Sequence, residues 1–203
     1  MKPDIRRQAI VDAAQIVATQ KGLSTTTVRD VATEMGTSSG LVHHYFDSMD
    51  QLLAVVFGQV AKAELSALRD RMHRAETPTG QLAEYFAAFT DPENDENFHF
   101  WLDAWSEAAR NETIRKVSRE MNIEWQELLL SVIAAGVRTG EFIDVDLEAV
   151  SWKALSLLDG LELQIVAHPT VITRKQAAKW AAESIEKELG LPTGTITEIL
   201  TAV

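Results

Sequence analysis

The sequence predicts an all-α protein in which a small N-terminal three-helix domain carries a helix-turn-helix and a long helix joins it to a larger helical domain. Three observations predict this. Apolar residues recur at spacings of three and four through nearly every long segment. Strand-like alternation is nowhere sustained. Ser, Thr, Asp or Asn opens successive periodic runs, and Gly closes several of them.

The first helix is expected from about Pro3 to Lys21, with Ile10, Ala13, Ala14 and Val17 on one face, and Gly22 suits a left-handed cap. Thr26 or Thr27 caps a short helix through Met35, since Thr27 and Asp30 have capping-box spacing, and Gly36 stops it. Ser38 or Ser39 opens a second short helix carrying Leu41, Val42, Tyr45 and Phe46. Ser48 with Gln51 offers another capping box, and Leu53, Phe57, Val60, Ala61, Leu65, Leu68 and Met72 mark a long linking helix to about Arg74. Glu76-Thr77-Pro78-Thr79-Gly80 reads as a break, and residues 91–97 (DPENDEN) read as an acidic loop. A helix follows from about Phe98 to Arg110. Asn111 then caps a helix of more than 25 residues ending near Gly140, and Asp146 and Thr173 cap the last two.

Composition narrows the function. The chain has 203 residues, 46% of them hydrophobic and 24% charged, enough for a substantial core without covalent staples. Cysteine is absent, which excludes disulfides, thiolate metal sites and a cysteine nucleophile. No apolar run reaches the length of about 18 residues needed to span a bilayer, and the N-terminus lacks the apolar centre of a secretion signal, so a cytoplasmic protein with no membrane partner is expected. The formal charge is −11, yet residues 1–50 carry only −1 of it. A surface that binds nucleic acid all over is thereby excluded, whereas a local DNA-binding surface in the first quarter is not.

Two short helices joined by a tight turn at Met35-Gly36-Thr37, with a third helix behind, form a helix-turn-helix pattern. The second short helix of such a unit lies in the major groove. Its leading residues here are Thr37, Ser38, Ser39 and Gly40, followed by His43 and His44; the hydroxyls and ring N–H groups suit phosphate oxygens or base edges, and Gly40 permits close backbone approach. Arg6 and Arg7 are either an arm toward phosphate or solvated charges at a helix start.

The run from Ile10 to Leu53, notably Thr26-Thr27-Val28-Arg29-Asp30-Val31-Ala32, Gly36-Thr37-Ser38-Ser39-Gly40, Tyr45-Phe46-Asp47-Ser48 and Leu52-Leu53, resembles the TetR family of one-component transcriptional regulators. The resemblance implies a DNA-binding domain at 1–47 and an effector-binding and dimerisation domain at 48–203. It implies a homodimer that binds a palindromic double-stranded operator and releases it when a small molecule binds, with no cofactor and no catalysis. It also places Thr26, Thr27 and Tyr45 with the other six residues on the DNA-facing surface. His43 and Met49 depart from the family, which commonly has a phosphate-touching tyrosine and lysine there. Weaker or less salt-dependent binding is therefore expected, partly offset by an imidazole N–H.

In the second domain, Phe98, Trp101, Leu102 and Trp105 share a helix face, and Met121, Trp125, Leu128 and Val132 form a stripe on the next helix. The helix after Asp146 is apolar on two faces, one with Trp152, Leu155, Asp159, Leu163 and Val166, the other with Leu158, Leu161 and Ile165. Both are expected to be covered, one of them by a partner chain. The Ala178, Ala181, Ala182 and Ile185 stripe on the last helix suits close helix approach in a dimer or in a monomer core. Asp159 falls within an apolar stripe, where a carboxylate needs a partner. A cationic effector held by Asp159 and the faces of Trp101, Trp105, Trp125 and Trp152 would supply one; a neighbouring hydrogen-bond donor would serve equally. Phe100-Trp101-Leu102, Gly140-Glu141-Phe142 and Leu158-Asp159-Gly160-Leu161 are similar to the choline-responsive branch of the family.

Two rivals compete with this reading. Glu96-Asn97-Phe98-His99 has the Glu-x-x-His spacing of di-iron bundles, but it occurs once and such centres use two copies. The acidic balance, His43 and Met49 also fit a helical ligand-binding or adaptor protein with weakened DNA contact.

Overall fold

The computed structural model describes the backbone of residues 2–90 and 94–202, and the side chains of residues 2–90 and 98–199. Among the described residues the structure is helical without strands: α1 (Pro3–Lys21), α2 (Val28–Glu34), α3 (Ser39–Tyr45), α4 (Met49–Met72), α5 (Pro78–Ala88), α6 (Asn94–Ala108), α7 (Glu112–Thr139), α8 (Leu147–Ala167), α9 (Arg174–Leu189) and α10 (Thr195–Ala202). The chain packs as two compact units, one of Met1–Ala63 with Glu96–Met121 and the other of Glu64–Asp95 with Asn122–Val203. Residues of α4 and α7 are divided between them.

In the first unit, Ile10, Val11, Ala14, Val17 and Ala18 form the buried face of α1, as the 3.6-residue period demands. Leu23, Val31, Val42, Phe46 and Phe57 are buried with them. The Phe57 ring packs edge-on against Trp101 at 4.9 Å and tilted against Phe100 at 6.1 Å. The chain leaves α1 through Gly22 at φ 90°, ψ 151°, which is positive φ but extended rather than the left-handed cap expected. A side chain at Gly22 would collide with Asp103, since an added Cβ would sit 2.8 Å from Oδ2. That carboxylate instead accepts the Leu23 N–H at 3.0 Å, so α6 fixes the backbone leading into α2.

In the second unit one core gathers Leu65, Leu82, Tyr85, Phe86, Leu129, Ile133, Leu155, Leu158, Ile185 and Leu189 from α4, α5, α7, α8 and α9. Truncating a fully buried member such as Ile133 to alanine should cost about 2–5 kcal/mol. Gln126 donates to Ser151 Oγ at 2.7 Å inside this unit, satisfying both polar groups.

The structure corrects several expectations. Pro78, Thr79 and Gly80 are the first turn of α5 rather than a break: Thr77 caps it by accepting the Gly80 N–H at 3.1 Å, and proline at the first position loses no helical hydrogen bond. Part of the expected acidic loop is helical, because α6 begins at Asn94, and acids there favour a helix start; residues 91–93 lie outside the described residues. Asp146 and Thr173 cap α8 and α9 as expected, but α9 is not the last helix. The buried Glu186 carboxylate accepts N–H groups of Gly194, Ile196 and Thr197 and so starts α10, a long-range cap that local spacing does not reveal. The Ala178, Ala181, Ala182 and Ile185 stripe is buried within the chain, which is the monomer-core alternative. On α8 the inner face is Val150, Ser151, Ala154, Leu155, Leu158 and Glu162, while Leu163 is 41% exposed.

The linking helix α4 is long and apolar enough to cross a membrane by length and composition. Its Leu52, Leu53, Val56, Phe57, Ala61, Leu65 and Leu68 are buried in protein cores instead.

Candidate functional site

The first candidate site is the surface presented by α2 and α3 in the first unit. Thr27 caps α2 reciprocally: its hydroxyl oxygen accepts the Asp30 N–H at 3.3 Å, and Asp30 accepts the Thr27 N–H at 3.1 Å. Asp30 also pairs with Lys21 at the end of α1. The Lys21 ammonium, followed by the Thr27 hydroxyl, lowers the Asp30 pKa to about 2. The turn between α2 and α3 runs through Gly36 at φ 61°, a left-handed conformation that glycine adopts without strain, and the Thr37 N–H donates to Ala32 O at 2.9 Å.

Beyond that turn, Ser38, Gly40, His43 and His44 are exposed, and Thr37, Ser39 and Tyr45 are partly exposed. The Ser38 hydroxyl caps nothing, so it faces outward without an internal task. His44 and Tyr45 stand edge to face at 5.1 Å. Thr27 is exposed, whereas Thr26 is buried and its hydroxyl donates to Gly22 O at 2.8 Å, which fits a role in shaping the entry to α2. Arg7 lies 4.6 Å over the Phe46 ring, so within α1 it packs as a cation on an aromatic face.

The second candidate site lies in the second unit, where α5, α8 and α9 bring titratable groups into an apolar core. Asp159 is partly buried and makes no hydrogen bond or ion pair among the described residues. Burial raises its pKa to about 7. Glu162, three residues on, is buried; burial and then the fields of Asp159 and Glu64 push its pKa upward. Arg174 Nη1 donates to Glu162 Oε1 at 3.1 Å and to Phe89 O at 3.2 Å. The Tyr85 hydroxyl is fully buried without a hydrogen-bond partner among the described residues, and burial, then Asp159 and Glu162, push its ionisation well above the ordinary value. A cluster of buried acids with an unused hydroxyl suits a cation better than an anion.

The sequence-predicted effector residues divide between the units. Trp125 and Trp152 pack against the core cluster of the second unit, which also holds Asp159. Trp101 and Trp105 belong to the first, their rings 5.8 Å apart, with Phe98 at 5.9 Å from Trp105. Tyr85, Glu162 and Arg174 were not singled out from sequence. Glu162 carried a usable signal, because three residues after Asp159 is the same face of one helix.

The Gly36 turn and the exposed α3 face that follows it define a helix-turn-helix protein. Comparison with known proteins defines it further. Residues 10–56 match the model for bacterial regulatory proteins of the tetR family, and residues 78–190 match that for the C-terminal domain of BetI-type transcriptional repressors. The chain belongs to the TetR family of helix-turn-helix transcriptional regulators and carries a BetI-type repressor C-terminal domain. It is 30% identical over 197 residues to the HTH-type transcriptional regulator BetI of Rhizobium meliloti (strain 1021), covering 94% of this chain and 87% of that protein. A putative transcriptional regulator from Pseudomonas aeruginosa PAO1 superposes with a TM-score of 0.79 at 25% identity, covering 98% of this chain and 96% of that one. One from Saccharomonospora viridis, solved in complex with choline, gives 0.79 at 21% identity over 90% and 96% of the two chains.

Proposed function

We propose that this repressor binds a palindromic operator as a homodimer, with α3 in the major groove, and is released when a small organic cation binds at Asp159. The observation that carries the effector class is the pairing of an unpartnered Asp159 carboxylate with an unpartnered, fully buried Tyr85 hydroxyl. Such groups are costly in a dry core and become favourable once a ligand satisfies them. The choline bound by the S. viridis protein of the same fold supports the same class.

Operator contact falls to the exposed Thr27, Ser38, Gly40, His43 and His44 with Thr37, Ser39 and Tyr45, while Thr26 shapes the backbone. A dimer needs apolar surface outside the cores. Leu163 on α8 and Trp180 on α9, 41% and 45% exposed, offer it and take the role first expected of the alanine stripe. Two recognition helices reading successive major grooves must stand about 34–36 Å apart. Effector binding shifts α4, changes that separation and weakens both half-site contacts together. The chain works by binding rather than catalysis, in the cytoplasm where the operator is.

Selection of bound DNA from a random pool, repeated with choline present, tests this reading. A palindromic consensus whose enrichment choline suppresses is expected. Failure to enrich any sequence at low salt would favour the ligand-binding or adaptor reading.

A further inference from the structure

We propose that Arg174 sets the charge class of the effector: its guanidinium serves Glu162 as a tethered counter-ion, leaving Asp159 to receive one positive charge, so the site takes a monocation and turns away a dication. This rests on the reading that the acidic cluster around Asp159 binds cations.

The placement of Arg174 is otherwise hard to explain. It is the first residue of α9, where the helix dipole disfavours a cation, and its side chain is only 10% exposed. It is held there firmly. Thr173 before it and Gln176 after it form a reciprocal capping box that fixes the backbone, and Phe89 O accepts from the same Nη1 that reaches Glu162. The Glu162 side chain is 7% exposed, so its carboxylate is reached through the protein and is already taken. Glu64 adds a further acid to the field of Glu162 and is itself engaged within the protein. Asp159 is left as the carboxylate of this group without a partner among the described residues. A diamine would bring a second charge into the core and find Glu162 occupied, and an uncompensated buried charge is strongly unfavourable.

Calorimetric titration of the full-length protein with pentylamine and 1,5-diaminopentane, matched in chain length, tests this. In the wild type the diamine should bind no more tightly than the monoamine. Arg174→Met should improve the diamine relative to the monoamine by about tenfold, the scale of one close charge pair, while Arg174→Lys keeps the wild-type order. Adding Glu162→Gln to Arg174→Met should remove the gain. An unchanged ratio in Arg174→Met, with pentylamine still binding the wild type, overturns the role of Arg174 and leaves the cationic site standing. If Arg174→Met does not fold, the wild type alone decides: a diamine bound about tenfold more tightly than the monoamine overturns the proposal. If neither amine nor tetramethylammonium binds the wild type, the cationic reading itself fails.

Discussion

Asp103 on α6 accepts the Leu23 N–H at 3.0 Å and fills the space that a side chain at Gly22 would need. One carboxylate thus pins the bend between α1 and α2, a few residues before the Thr27 cap that starts the helix-turn-helix. Asp103→Ala should destabilise the protein by about 1 kcal/mol or more, because a part-buried N–H loses its acceptor. Operator affinity should fall with it, while Asp103→Asn, which keeps an acceptor oxygen, should restore most of both. Urea unfolding and operator titration of the two variants check this; equal behaviour of Ala and Asn would contradict it.

Met49 opens α4, and the proposed operator contact puts this helix start beside a phosphate. Met49→Lys should tighten operator binding and steepen the plot of log affinity against log salt by about one unit for each phosphate the new ammonium neutralises. Affinity measured across a salt series gives the slope directly, and an unchanged slope would remove Met49 from the DNA-facing surface.

Asp159 is raised to about 7, above the ordinary carboxylate range it holds in the unfolded chain. The folded state therefore binds more protons, so its stability without effector should fall as pH rises from about 4 toward 7. Cation binding should move the opposite way and strengthen from pH 6 to pH 8 as Asp159 ionises. Glu162 and Tyr85 feel the field of Asp159, so a single-site curve is not expected. Urea midpoints at several pH values test the first trend, and Asp159→Asn should flatten it.

Glu186 holds the start of α10 with both oxygens, Oε2 accepting from Gly194 at 2.7 Å and Oε1 from Ile196 at 2.6 Å. Glu186→Gln turns one of these acceptors into a donor facing a backbone N–H. A loss of about 1–3 kcal/mol is expected. Amide exchange should then accelerate across α10 before the rest of the second unit; uniform exchange would show that the helix is held by its apolar packing alone.

The helix-turn-helix was legible because local rules decide it: the Thr27–Asp30 box, the Gly36 turn and the buried spacing of Ile10, Ala14 and Val17 all act within a few residues. What remained hidden depends on long-range contact. Glu186 looks like one more surface acid on a polar helix until α10 folds back onto it. The Arg174 partner lies on another helix, and nothing in the run from Thr173 to Gln176 announces it. The alanine stripe misled because small residues permit close packing without saying against what, and here the chain covers them itself. Asp159 stood out as a carboxylate among apolar residues, while the unpartnered Tyr85 hydroxyl needed the fold.

The central claim is that a cation seated at Asp159 releases the operator. Fluorescence anisotropy of a labelled operator, titrated with choline in the wild type and in Asp159→Asn, tests it most directly. The wild type should release DNA on addition of choline, and Asp159→Asn should bind the operator equally well in its absence yet need at least about tenfold more choline for release. Identical release curves for the two proteins would contradict the account.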